Sequence, residues 1–189
     1  MLNVLAEVYS ATYNYYEALS YLDQAENCFR SNGDSNRLNI TICKKARQFG
    51  NMHLFNETDS LYESLIAAPD ISEQLRRTAL SCYAHSLAAR QEHDYKKAGE
   101  LYRELIAQGK GLDSWSDWGA YACCLEAAGD TKNADSIIRQ LDRFGDENLN
   151  FWRARILEER GQYKEALACR DAILSTATIK KAFSQSAAI

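Results

Sequence analysis

Small residues recur in pairs twelve positions apart along this chain: Ala6 and Ala18, Ala46 and Thr58, Ser86 and Ala98, Ala122 and Ala134, Ala154 and Ala166. A spacing repeated through most of a chain constrains the fold more than any single motif, because one supersecondary unit must be stacked several times. Apolar residues accompany each pair. Tyr9, Phe49, Ala89, Leu125 and Leu157 follow the first small residue by three, and Tyr15, Phe55, Tyr95, Thr131 and Tyr163 precede the second by three. Leu22, Tyr62, Tyr102, Ile138 and Arg170 follow the second by four, and Ala25, Leu65, Leu105, Leu141 and Ile173 by seven. Offsets of three, four and seven mark one face of a helix.

Two such faces joined by a short polar turn form an antiparallel hairpin. The turns are expected at Tyr13-Asn14, His93-Asp94, Gly129-Asp130 and Gly161-Gln162, with His53 and His93 at the same turn position in successive repeats. The small residues belong where the two helices cross, since a bulky side chain there would hold the backbones beyond the usual spacing of about 8–10 Å. The fold class expected is therefore all-α, with about five antiparallel hairpins over residues 2–33, 35–69, 71–110, 113–145 and 147–174. Residues 175–189 would add a short C-terminal helix, capping the last repeat or beginning another with Ile179, Ala182, Phe183 and Ala187. Asp70 with Glu73 is a candidate capping box for the third repeat, and Asp113 a candidate cap for the fourth. Pro69 lies between repeats, where it breaks no helix hydrogen bond.

The segment Gly161-Gln162-Tyr163-Lys164-Glu165-Ala166-Leu167 resembles the inter-helix signature of the tetratricopeptide repeat family, and Tyr15-Tyr16-Glu17-Ala18-Leu19 and Tyr95-Lys96-Lys97-Ala98 are similar to it. Trp118, Ala122 and Leu125 match the aromatic, small, large pattern of a family first helix. The chain departs from the family in its repeat length, the second small residues being 40, 40, 36 and 32 apart, and at Thr58, Cys82, Asn150 and Arg170. The resemblance implies a right-handed α-solenoid whose first helices line a concave, protein-binding face.

Charge narrows where such a face would act. The segment from Ser35 to Gly50 carries Arg37, Lys44, Lys45 and Arg47 without an acid, and the segment from Leu54 to Asp70 carries Glu57, Asp59, Glu63 and Asp70 without a base. Lys44, Arg47, Arg76, Arg77, Tyr83 and Arg90 are accordingly the candidate residues for binding an acidic protein or peptide segment. The resemblance also brings in the carboxylate clamp of some family members: Asn3 and Lys44 lie near its positions, and Tyr83 and Ala84 stand where its further basic and amide residues would be needed. Tyr13, Tyr16, Tyr21, Trp115 and Tyr121 are further aromatic candidates for surface contact.

Other functions lack their chemistry. With 22 basic and 26 acidic residues the chain has a net charge of −4, which disfavours an extended nucleic-acid surface. No phosphate-cradling glycine loop, HExxH motif or nucleophile elbow occurs, so neither catalysis nor a cofactor is expected. The Cys82 and His85 pair has no partner pair at zinc-ligand spacing. The six cysteines show no CxxC and read as packed thiols, which leans towards a reducing, cytoplasmic compartment, although an envelope-side domain of a longer protein is compatible. No apolar run approaches the roughly 20 residues needed to cross a bilayer. The expected function is a non-catalytic interaction module, with the sensory or regulatory domain of a membrane-anchored or DNA-binding signalling protein as the alternative. Leu2, already at a core position, and the apolar C-terminal stripe suggest a piece of a longer protein.

Overall fold

The computed structural model describes residues 1–143 and 149–186, and the side chains of its last helix as far as Ser175. The elements formed by the described residues are all helices, and these residues contain no strand. They divide into two compact units, residues 1–86 and 87–189.

The first unit contains α1 (Leu2–Ala11), α2 (Tyr15–Ser31), α3 (Ser35–Asn51), α4 (Phe55–Ala67) and most of α5 (Glu73–Ala89). Helices consecutive in sequence pack on each other from α1 to α4. Ala6 and Ala18 are almost fully enclosed, with Leu22 between them and Tyr9, Leu19 and Tyr21 around. Ala46 and Thr58 are completely buried at the α3–α4 crossing, where Thr58 returns its hydroxyl proton to the Leu54 carbonyl at 2.8 Å. That bond lets a polar residue stand in for alanine, because its one donor is satisfied within the helix. Two contacts between side chains 38 residues apart set the register of α1 on α3: Asn3 Nδ2 donates to Thr41 Oγ1 at 3.1 Å, and Ser10 Oγ to Gln48 Oε1 at 3.0 Å.

The second unit contains α6 (Tyr95–Leu105), α7 (Trp115–Ala127), α8 (Thr131–Asp142), α9 (Leu149–Glu159) and α10 (Tyr163–Ser186). A wider helical turn, Ile106–Lys110, extends α6 and contains Gly109 with φ 80°. Helix α7 packs on α6, α8 and α9, and α9 on α10. Ala98, Ala122, Ala134, Ala154 and Ala166 are all at most 2% exposed, as the spacing requires.

Five helix ends share one device. The N–H of Asn14, Asp34, Leu54, Asp130 and Gln162 each donates to the carbonyl five residues earlier, at 2.8–3.0 Å. The residue before each, Tyr13, Gly33, His53, Gly129 or Gly161, has φ between 60° and 80°. This is the left-handed C-terminal cap, in which carbonyls left over at the helix end find donors. In four cases the accepting residue, Tyr9, Phe49, Leu125 or Leu157, is the large side chain that follows the first small residue by three.

Four expectations are corrected. His93 does not share the conformation of His53: α5 ends at Ala89, and Asp94 N–H reaches back to the Leu87 carbonyl at 3.0 Å in place of that of Ala89. Asp70 does not cap α5, because Ser72, next to the helix, accepts from Leu75 N–H at 3.3 Å. Asp113 does not cap α7, since Ser114 accepts from Asp117 N–H at 3.0 Å. In both, a hydroxyl adjacent to the first turn accepts from one of the N–H groups left free there. The separate C-terminal helix is also absent, as α10 runs unbroken to Ser186; Ala187 and the side chains of Ile179, Ala182 and Phe183 lie outside what is described.

Candidate functional site

The basic residues expected to form a binding face are largely engaged within the protein. Lys44 Nζ lies 2.8 Å from Glu7 Oε1 on α1, and Arg47 acts on the same carboxylate. Lys45 bridges Asp23 and Glu26 on α2 at 2.8 Å each. Lys44 and Lys45 of α3 thus pair with acids of the preceding hairpin, while Arg37 pairs with Asp34 just before its own helix. Arg76 donates to the carbonyls of Ile66 and Ala68, the latter at 3.1 Å, and so caps α4. Arg77 is 3% exposed and Tyr83 1%. Tyr83 stacks on Tyr62 with ring centroids 5.4 Å apart and donates its hydroxyl proton to Glu63 at 3.0 Å. Of the six candidates only Arg47 is exposed, and Arg90 lies in the second unit, half-buried. Among the aromatic candidates, Tyr13 and Tyr16 are nearly four-fifths exposed, whereas Tyr21 stacks on Tyr9 at 5.3 Å.

Arg155 of α9 explains the irregular end of α5. Its Nη2 donates to the Ala89 carbonyl at 2.8 Å, the acceptor that Asp94 N–H leaves open, and its guanidinium lies over the Phe151 ring at 5.2 Å. Nη1 is 3.2 Å from His93 Nδ1, and His93 Nε2 is 3.3 Å from Glu159 Oε1. This geometry suits an imidazole with its proton on Nε2, accepting from Arg155 and donating to Glu159. A cation at a helix C-terminus meets the negative end of the helix dipole, so the cluster is accounted for as a structural cap.

A groove of about 290 Å³ opens between α6 and α7. Asp94 caps α6 by accepting from Lys97 N–H at 2.9 Å, and Tyr95, Ala98, Tyr102 and Leu105 turn inwards at helical spacing. Tyr102 fixes α7 by donating to the buried Asp117 at 3.4 Å. The two helices come closest at Gly99, where a Cβ would lie 3.3 Å from that of Cys124. Gly99, Cys124, Ala127 and Ala128 leave room for the groove, Tyr95 and Tyr121 wall it, and Leu125 adds an apolar surface.

Lys96 and Arg103 stand on its α6 side, both exposed, and neither forms an ion pair among the described residues. The Arg103 charge reaches into the groove: burial pushes the Cys124 thiol up to about 12, with Arg103 opposing, and burial raises the Tyr121 phenol against the same charge. The nearby carboxylates Asp94 and Asp130 both accept backbone bonds as helix caps. Neither Lys96 nor Arg103 was singled out from sequence as a binding residue. The available signal was their spacing of seven on one helix with a glycine between.

The buried thiols of Cys43, Cys123 and Cys124 are not poised for nucleophilic chemistry. The neighbouring Cys82 thiol and burial raise Cys43, burial raises Cys123, and a protonated thiol is a poor nucleophile. Among the described residues no three His, Cys, Asp or Glu side chains gather into a metal-binding group, and no helix is long and apolar enough to cross a membrane. The chain matches no family model, and searches of curated proteins and of solved structures returned no match.

Proposed function

We propose that this chain is a non-catalytic interaction module of stacked helical hairpins that binds a segment of another protein. The observation that carries the reading is the α6–α7 groove, an open apolar cleft whose two cations have no ion-pair partner among the described residues. A groove of about 290 Å³ is at the lower limit of small-molecule sites, and suits a few side chains of a protein segment better than a cofactor. The hairpin spacing and the tetratricopeptide resemblance support the same class of function. On α3, Arg47 is the residue of the expected basic face still available to a partner. The test is selection from a large displayed peptide library against the intact chain. Enrichment of a common sequence that binds in solution supports the proposal; selection that converges on nothing overturns it.

A further inference from the structure

We infer that the α6–α7 groove receives an acidic amphipathic helix of a partner protein, one that presents two carboxylates seven residues apart with apolar side chains midway between them. This rests on the proposed interaction function and specifies where it acts and on what.

The register follows from α6 itself. Lys96 and Arg103 are seven residues apart, which places them two turns apart on nearly one face, about 10.5 Å along the axis at 1.5 Å per residue. A helix laid along α6 meets both cations only if its own acids have the same rise between them, and positions i and i+7 provide it. Between the cations α6 carries Gly99, and the groove surface there is Cys124 and Leu125. The residues of the partner that face this stretch are at i+3 and i+4, and they must be apolar, because Leu125 offers no hydrogen bond to a polar side chain and the Cys124 thiol only a weak one. The i, i+3, i+4, i+7 pattern is that of a helix seated in a groove.

Charge selects the sign of the partner. Two bases elsewhere in this unit are tied to acids: Arg160 holds Glu126 at 2.6 Å and Asp135 at 2.7 Å, and Arg170 holds Glu158 at 2.6 Å. Lys96 and Arg103 form no such ion pair among the described residues, Glu100 of α6 lies outside the groove lining, and Asp94 and Asp130 are turned to backbone N–H groups. An incoming pair of carboxylates would therefore find two cations without displacing an internal ion pair. The site is lined by a second helix together with a first helix, and so differs from a face built of first helices alone.

The experiment uses the intact chain, labelled with nitrogen-15, and a side-chain-stapled alanine-based helix with glutamates at i and i+7 and leucines at i+3 and i+4. The amides of Gly99, Arg103, Cys124 and Ala127 are expected to shift on titration. Replacing both glutamates by glutamine, or moving one by two positions, is expected to weaken binding at least tenfold, as is the K96E/R103E double substitution, with circular dichroism showing an unchanged fold. The double variant should in turn bind the helix carrying lysines at i and i+7. Equal binding by the glutamine or shifted helices, or shifts confined to other helices, would overturn the inference while leaving the interaction function standing. That function fails separately, if peptide selection also yields nothing.

Discussion

Gly119 of α7 lies directly against the indole of Trp152 on α9: a methyl group on its Cα would sit 2.5 Å from Trp152 Cδ1 and 2.8 Å from Cγ. The contact is only possible because position 119 has no side chain, and it lets α7 and α9 close over a tryptophan that is 2% exposed. The indole is held in place, since its Nε1 donates to Ser116 Oγ at 3.1 Å.

Gly119→Ala should therefore destabilise the second unit by about 1–3 kcal/mol, the usual effect of overpacking, despite the higher helix propensity of alanine. Urea denaturation followed by circular dichroism measures this. The double variant G119A/W152L should recover part of the loss, because leucine removes the atoms in conflict.

Gly50 of α3 has the opposite environment. A Cβ there would lie 3.6 Å from Ser86 Oγ and 3.7 Å from the Thr58 side chain, ordinary contact distances. Gly50→Ala should stabilise the first unit by about 0.5–1 kcal/mol through reduced freedom of the unfolded chain and better helix propensity. A rise in thermal midpoint checks it, and a fall would show that α3 and its neighbours cannot admit the methyl group.

Arg155→Met removes the donors that close the end of α5 at the Ala89 carbonyl. Leaving a partly buried carbonyl without its charged partner should cost about 1–3 kcal/mol. Amide hydrogen exchange should accelerate in residues 90–94, with α10 unaffected.

The Lys45 bridge gives the first unit a defined pH dependence. The Lys45 ammonium holds the Glu26 carboxyl below its ordinary value, with burial opposing and Arg30 assisting. A depressed carboxyl stabilises the fold above its unfolded pKa, and that contribution disappears as pH falls through the folded value. Burial acts to lower Lys45, but its bonds to Asp23 and Glu26 raise it overall, so its contribution is present below its unfolded pKa and lost as pH rises through the folded one. Lys45→Met should lower stability by about 1 kcal/mol at pH 7. The difference from the unsubstituted chain should shrink both below pH 4 and above pH 11, which urea midpoints across the range will show.

The cysteines should separate by reactivity with a disulfide reagent such as dithiobis-nitrobenzoate. Cys28, the exposed thiol, should react first. Cys43, Cys123 and Cys124 should react only as the fold opens, because burial both hides them and disfavours their thiolates. Fast labelling of the native chain at several thiols would contradict this.

What the chain reveals without coordinates is what depends on near neighbours. The spacing of Ala6 to Ala18, Ala122 to Ala134 and Ala154 to Ala166 predicts hairpins and buried crossings, since helix periodicity and a short turn act within about a dozen residues. Gly129 and Gly161 likewise announce their left-handed caps. The caps at Ser72 and Ser114 were missed in favour of nearby aspartates, as several residues in each segment have suitable chemistry and only the backbone decides which is adjacent to the first turn.

The candidate site was less legible, for a different reason. A row of bases on α3 reads in sequence as an open patch, but Glu7, Asp23 and Glu26 come from another hairpin and engage Lys44 and Lys45. Local periodicity in the sequence was enough to determine the helices and most of the small residues buried between them. The tertiary structure decided which charges remain available, since a cation is neutralised by whatever acid lies within a few ångströms, however far along the chain. It is for that reason that Lys96 and Arg103, inconspicuous in sequence, flank the open groove, while Arg76, Arg77 and Tyr83 are taken into the packing.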